Sequence, residues 1–157
     1  MNNQYHFITR WRFEAPPERI FELIRKPLEF PRWWGSVYLK AERVADAKVR
    51  FQTKGRLPYT LCWDSETIES RPPEYLAVRA TGDFDGRGLW TLERDGAFTN
   101  VVFDWKLTAE KPLLRYLSFV LKPLFAWNHR WAMEQGRAGM EGELRTRAGQ
   151  STMKTWR

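Results

Sequence analysis

The feature that most constrains the fold is a succession of short segments of alternating polarity that occupies residues 37–109. Segments that recur about every 8–12 residues, with turn residues between them, are typical of antiparallel strands. The intervening turn residues are Asp46, Leu57-Pro58, Arg71-Pro72-Pro73, Asp85-Gly86 and Asp95-Gly96. We therefore predict strands near 37–45, 47–57, 59–69, 74–84, 86–94 and 98–109.

One more strand is predicted at the start of the chain, because residues 4–14 alternate with a period of two. The aromatic residues that share one side of it are Tyr5, Phe7, Trp11 and Phe13. Two prolines then end this strand and favour a short helix, since proline is tolerated in a first helical turn. A second short helical turn is predicted between Pro27 and Pro31.

A long helix is predicted from Pro112 to about Arg147. Pro123 is expected to kink or interrupt it, because proline removes a backbone hydrogen bond and clashes with the preceding turn. Residues 148–157 have no pattern and are predicted to form a mobile tail. At 157 residues, the chain is predicted to be one domain over residues 1–147.

This element order predicts an α+β fold, with a curved antiparallel sheet of about seven strands. One face of such a sheet must be covered, and the C-terminal helix is the only predicted element long enough to cover it. Helical glycine costs about 1 kcal/mol against alanine, so Gly136 and Gly139 inside that helix indicate a packing requirement. The simplest one is a close approach to the sheet, and the second is room for a ligand. A sheet that curls around one helix leaves a space between the two.

The aromatic content predicts that this space is a ligand pocket. Nine residues are tryptophan, and aromatic residues make up 15% of the chain, more than a core needs for packing. The alternative is a bulky core that leaves no cavity, since both have the same composition; a ligand site is expected to offer roughly 300 Å³ or more. The alternation of side chains along each predicted strand gives the residues expected to face the interior. They are Phe7, Trp11, Phe51, Tyr59, Leu61, Trp63, Trp90, Phe103 and Trp105.

Charge and cysteine content narrow the class of partner. The net charge is +7 but is spread along the chain. The aromatic residues alternate away from the charged ones, which disfavours nucleic-acid binding. Two histidines and one cysteine, Cys62, lie far apart in the sequence, so we expect no metal site and no cofactor. The unpaired Cys62 and the absence of a signal-peptide pattern predict a cytoplasmic protein.

Several segments resemble the SRPBCC superfamily, which comprises START-like and birch-pollen-allergen-like proteins and includes polyketide cyclase/dehydrase-type proteins. The matching segments are APPERIFELI (15–24), PLEFPRWW (27–34), GLWTLERDG (88–96), TNVVFDWKL (99–107) and HRWAMEQGRAGMEGEL (129–144). The resemblance implies the helix-grip fold, with a hydrophobic cavity between the sheet and the C-terminal helix. It also implies Trp33, Trp34 and Tyr38 at a mouth loop. It implies no single reaction and no transferable catalytic set.

Three functions follow as alternatives. The first is binding of a small hydrophobic molecule (aromatic, polyketide-like or isoprenoid/lipid), with Asn128 among the few polar residues expected to reach the cavity. The second is a cyclase- or dehydratase-type enzyme, with His129 or Glu134 as general base, because proton transfer needs a titratable group near the substrate. The third is contact with a membrane or a protein partner through the apolar segment from Leu113 to Trp127. The sequence does not indicate the oligomeric state.

Overall fold

The computed structural model describes residues 4–109 and 112–155, with side chains over 4–108 and 122–146. The elements at the start of the chain are β1 (Gln4–Phe13), α1 (Pro17–Ile24), a 3-10 turn (Pro27–Glu29) and α2 (Phe30–Trp33). The strands that follow are β2 (Tyr38–Ala45), β3 (Lys48–Lys54), β4 (Thr60–Arg71), β5 (Tyr75–Gly82), β6 (Phe84–Asp95) and β7 (Phe98–Ala109). The last element is helix α3 (Pro112–Thr155).

All strands form one seven-stranded antiparallel sheet in the order β1-β7-β6-β5-β4-β3-β2. Consecutive strands from β2 to β7 pair as a meander, and the last strand, β7, also pairs with the first strand, β1. The predicted α+β class and helix-grip arrangement, with two short helices after the first strand, are confirmed.

The alternation of residues along each strand separates the two faces of the sheet. In β3, Val49 and Phe51 are 3% and 2% exposed, whereas Arg50 between them is exposed. In β7, Val101, Phe103 and Trp105 are buried on the same face. Because side chains alternate across a strand, one face of the sheet is apolar and is directed at α3. The opposite face is directed at solvent.

The turn between β5 and β6 differs from the prediction. Asp85-Gly86 was expected to form it, but both residues lie inside β6, and the chain reverses at Gly82 and Asp83. Gly82 has φ +128, a conformation that favours glycine. At Gly86 a Cβ atom would overlap the carbonyl oxygen of Lys106 on β7. The glycine there reflects close strand packing and not a turn.

Helix α3 also departs from the prediction in length and in its contacts. It continues through Pro123, which therefore does not interrupt it, and extends past the predicted end at Arg147. The mobility of residues 148–157 stays a prediction. Gly136 and Gly139 approach α2 and not the sheet: a Cβ on Gly136 would be 2.5 Å from the Trp34 ring.

Candidate ligand cavity

The interior between the sheet and α3 contains a cavity that offers about 200 Å³ to the centres of water-sized molecules. Its walls come from all seven strands, from the segment between the end of α1 and β2, and from α3. The volume is below the roughly 300 Å³ expected for a typical ligand site. Aromatic rings fill much of the interior: Phe103 stacks on Trp90 at 4.2 Å between ring centroids and on Trp105 at 5.4 Å. The interior thus combines a packed aromatic core with a small cavity.

Most of the predicted ligand-contacting residues line this cavity. They are Phe7, Trp34, Tyr38, Phe51, Tyr59, Trp63, Trp90, Phe103, Trp105 and Asn128. Trp11 and Trp33 are buried but do not line it. The ring of Trp11 lies 5.6 Å from that of Trp90, and the ring of Trp33 lies 5.4 Å from that of Trp34. The structure therefore places these two residues in the packed core beside the cavity.

Other lining residues were not singled out from the sequence. Tyr5 lies on the same side of β1 as Phe7, so the alternation of that strand contained the signal for it. Phe125, Ala132 and Met133 line the cavity from α3. Their spacing of seven and one residues fits one face of a helix, but the sequence did not indicate which face of this helix is turned inward.

The cavity walls contain tyrosine hydroxyls that remain uncharged. Burial raises the pKa of Tyr38 above its ordinary value and raises that of Tyr59 to about 12, with the neighbouring Tyr5 adding to the effect at Tyr59. Both residues line the cavity. At neutral pH the two phenols are therefore protonated hydrogen-bond donors.

A buried hydrogen bond joins two strands in the cavity wall. Thr53 on β3 accepts it from the indole nitrogen of Trp63 on β4, at 3.1 Å. Thr53 is 7% exposed. Since a buried indole N–H needs an acceptor, this bond fixes the plane of the Trp63 ring in the cavity wall.

His129 lines the cavity and is the only one of the two candidate bases that does. Its ring stacks on Phe7 at 4.2 Å with 17° between the planes. Its Nε2 is buried and has no hydrogen-bond partner among the described side chains. Burial, with the nearby charge of Arg130 adding to it, lowers the pKa of His129 to about 4. The imidazole is neutral at pH 7.

Glu134 lies outside the cavity, on the exposed side of α3. Its side chain is 57% exposed and forms an ion pair of 2.6 Å with Arg137. The hydrogen bond from Arg137 lowers the pKa of this carboxyl group, so Glu134 is a carboxylate at neutral pH. It does not reach a molecule in the cavity.

The loop between β3 and β4 closes one end of the cavity against α3. The side-chain oxygen of Asn128 accepts a hydrogen bond of 2.6 Å from the backbone N–H of Arg56. The Arg56 guanidinium lies over the ring of Trp131, 5.4 Å from its centroid. At Gly55 a Cβ atom would overlap the Asn128 side chain. Asn128 therefore both lines the cavity and holds this loop.

The outer side of α3 near this loop is apolar in part. Leu124 and Trp127 are 40% and 42% exposed, and the other side chains of the predicted contact segment, up to residue 121, lie outside the described residues. In the described part of the chain, no helix is both long and apolar enough to span a bilayer. The same residues contain no group of three or more His, Cys, Asp or Glu side chains suited to a metal ion.

Several solved structures share this architecture. A protein from Thermus thermophilus superposes with a TM-score of 0.71 at 22% identity, over 88% of this chain and 95% of that chain. A START superfamily protein from Mycobacterium smegmatis gives 0.73 at 13% identity, over 90% and 97% of the two chains. The Zhui aromatase/cyclase from a Streptomyces species gives 0.68 at 15% identity, over 92% and 96%.

No protein-family model matches the sequence, and no curated protein is detectably similar to it. The structural matches are distant in sequence, so they establish the fold and not a ligand or a reaction. The sheet order, the long C-terminal helix and these superpositions agree with the resemblance seen in the sequence. The protein has the START-like helix-grip fold.

Proposed function

We propose that the protein binds a small hydrophobic molecule (aromatic, polyketide-like or isoprenoid/lipid) in the cavity between the sheet and α3. The observation that carries this proposal is the cavity itself, which is lined mainly by aromatic and aliphatic side chains. A ligand there gains about 25 cal/mol for each square ångström of apolar surface removed from water. The rings of Trp63, Trp90 and Trp105 provide flat walls for such a molecule.

A cavity-filling variant tests this proposal. Thr67 lies on the inward face of β4 and lines the cavity, so Thr67→Phe reduces its volume. Ile68, the next residue, is 49% exposed, and Ile68→Phe is the matched control. A ligand at 100 times its Kd raises the free energy of unfolding by about 2.7 kcal/mol. Thermal unfolding with a panel of lipophilic compounds measures the effect.

We expect at least one compound to raise the Tm of the unsubstituted protein and of Ile68→Phe, but not that of Thr67→Phe. If no compound in the panel raises the Tm of the unsubstituted protein, the proposal is wrong. An equal rise in Thr67→Phe places binding elsewhere and also contradicts it.

A second candidate function is that of a cyclase- or dehydratase-type enzyme, and the position of His129 favours it. Its neutral imidazole lines the cavity, as a general base requires. One observation counts against this role. None of the described side chains forms a hydrogen bond with His129 Nε2, so none of them orients this nitrogen for proton transfer. Comparing turnover of polyketide-like substrates by the protein and by His129→Gln tests this role, and unchanged turnover in the variant excludes it.

A third candidate function is contact with an anionic membrane through residues 113–127. Exposed Leu124 and Trp127 favour it, since an apolar helix face beside cations is typical of interfacial binding. Flotation with anionic vesicles tests it, with Trp127→Ser as the variant and Leu39→Ser, at an equally exposed leucine on β2, as the control. Equal flotation of both variants contradicts this role. The cytoplasmic location stays a prediction.

A further inference from the structure

The size of the cavity restricts the ligand, if the proposed function holds. About 200 Å³ is open to the centres of water-sized molecules, whereas drug-sized ligands occupy pockets of roughly 300–1,000 Å³. The walls are aromatic rings in mutual contact, such as Phe51 and Trp63 at 5.0 Å, so enlarging the space requires several rings to move together. A compact molecule of about two fused rings is the size that fits.

The charges around the cavity restrict the ligand further. None of the lining residues that the structure describes is a carboxylate, and the one permanently charged side chain among them is Lys54, which is exposed. The other titratable lining residues are Tyr5, Tyr38, Tyr59 and His129. Burying a charge without a buried partner is costly. The interior therefore favours an uncharged molecule.

Besides His129 Nε2, a second polar group in the wall, the hydroxyl of Tyr38, lacks a hydrogen-bond partner among the residues that the structure describes. Tyr38 lines the cavity, and no described residue forms a hydrogen bond with its hydroxyl group. Its ring is held by Trp34 and Phe51, at 4.8 and 4.7 Å between centroids. Phe30 and Trp63 also contact it. Tyr38 is half-buried, and a tyrosine hydroxyl in an apolar wall usually has a partner. A donor that the surrounding rings hold in place at the cavity therefore favours a ligand that supplies an acceptor.

We infer that the cavity selects a compact, uncharged ring compound with a carbonyl or hydroxyl oxygen that accepts a hydrogen bond from Tyr38. This inference rests on the proposed function and specifies the ligand class for the same site. Tyr38 acts here as a specificity-determining residue. The apolar walls accept many flat molecules, and the phenol distinguishes those that carry an oxygen acceptor, because the analogue without it leaves the hydroxyl unpaired.

Calorimetric titration with paired probes tests this inference. 1-Tetralone and tetralin have the same two-ring skeleton and differ by a carbonyl group in place of a methylene group. The net contribution of one hydrogen bond corresponds to a roughly two- to tenfold difference in affinity, so we expect 1-tetralone to bind more tightly than tetralin by about this factor. Tyr38→Phe removes only the hydroxyl oxygen and is expected to abolish this difference while tetralin affinity stays the same.

Tyr75→Phe is the matched control, because Tyr75 lies outside the cavity under the guanidinium of Arg71. It is expected to keep the preference for 1-tetralone. Thermal unfolding of each variant without ligand shows whether the fold is kept. A third probe, 2-naphthoate, tests the charge argument, and we expect it to bind more weakly than 1-tetralone.

The outcomes distinguish a failure of this inference from a failure of the proposed ligand-binding function. If both neutral probes bind and Tyr38→Phe leaves their ratio unchanged, the hydrogen bond to Tyr38 is wrong although the cavity still binds ligands. Tighter binding of 2-naphthoate contradicts the uncharged class. If neither neutral probe binds, the size class is wrong, and the proposed function then depends on the lipophile panel alone.

Discussion

The two ends of the interior are built from the same residue types and pack differently. At the α2 end, Trp33 and Trp34 lie directly against α3, where Gly136 and Gly139 leave room for them. The indole of Trp34 donates a hydrogen bond of 2.9 Å to the carbonyl oxygen of Ala132. At the other end, α3 presents Phe125, Asn128 and His129, and a cavity remains between these side chains and the sheet.

The comparison shows that aromatic content does not by itself decide between a packed core and a cavity. What differs is the size of the α3 side chains that face the rings. Glycine lets the helix backbone approach the α2 region closely, whereas the larger side chains of Phe125, Asn128 and His129 lie between the helix backbone and the cavity. Trp34 belongs to both ends, because it packs on Gly136 and also lines the cavity.

The largest expected effect comes from breaking the packed end with Gly139→Ala. The added Cβ atom would overlap the Trp33 carbonyl oxygen, a backbone atom that cannot move without shifting α2. We expect a loss of about 3 kcal/mol in the free energy of unfolding, measured by urea denaturation. Gly142→Ala is the control, since its Cβ meets no atom within 4 Å, and it should gain up to about 1 kcal/mol. Equal changes in both variants would show that α3 does not pack closely here.

The next effect concerns pH at the cavity end. The pKa of His129 is lowered from 6.5 to about 4 in the folded protein, so between these values the unfolded chain binds a proton that the folded protein does not. Stability therefore falls as pH decreases from about 6.5 to 4, with no further contribution from His129 below that range. After allowing for the partial exposure of the ring, we expect about 2 kcal/mol.

Urea denaturation between about pH 5 and 7, above the range in which carboxyl groups such as that of Glu134 titrate, checks this expectation. His129→Leu is expected to remove the dependence in that interval. His6 lies on the outer face of the sheet beside Asp104, so His6→Gln serves as the control and should keep the pH dependence. A slope that survives in His129→Leu would mean that the imidazole is not buried in the folded protein.

A smaller effect tests how dry the cavity is. Thr53→Val removes the acceptor of the Trp63 indole N–H and should cost about 1–2 kcal/mol if no water replaces it. Thr60→Val, on a half-buried threonine at the start of β4, provides a comparison at the edge of the same strand pair. A loss below about 0.5 kcal/mol in Thr53→Val would indicate that water enters the cavity and accepts the bond.

The sequence predicted the sheet and its inner face well because strands have a period of two. The alternation in β3 and β7 was sufficient to direct Phe51, Phe103 and Trp105 inward. The glycine signal at Gly86 was misread as a turn, since a close contact between β6 and β7 requires glycine equally. A turn and a close approach between two backbones both favour glycine, so the sequence alone does not distinguish them.

The candidate site was less predictable, because it depends on distances between elements. Trp11 and Trp90 both face inward, yet only Trp90 lines the cavity, and strand parity cannot distinguish them. His129 and Glu134 were equivalent candidates until the structure placed one inside and the other at the surface. That choice required the orientation of α3, which follows from how Gly136 packs on Trp34.

A crystal structure of the protein with 1-tetralone at saturating concentration tests the central claim most directly. The account predicts ligand density between the sheet and α3, enclosed by Trp63 and Trp105, with its carbonyl oxygen within hydrogen-bond distance of the Tyr38 hydroxyl. An interior in which these rings interlock without an opening, and which holds no ligand, would contradict it.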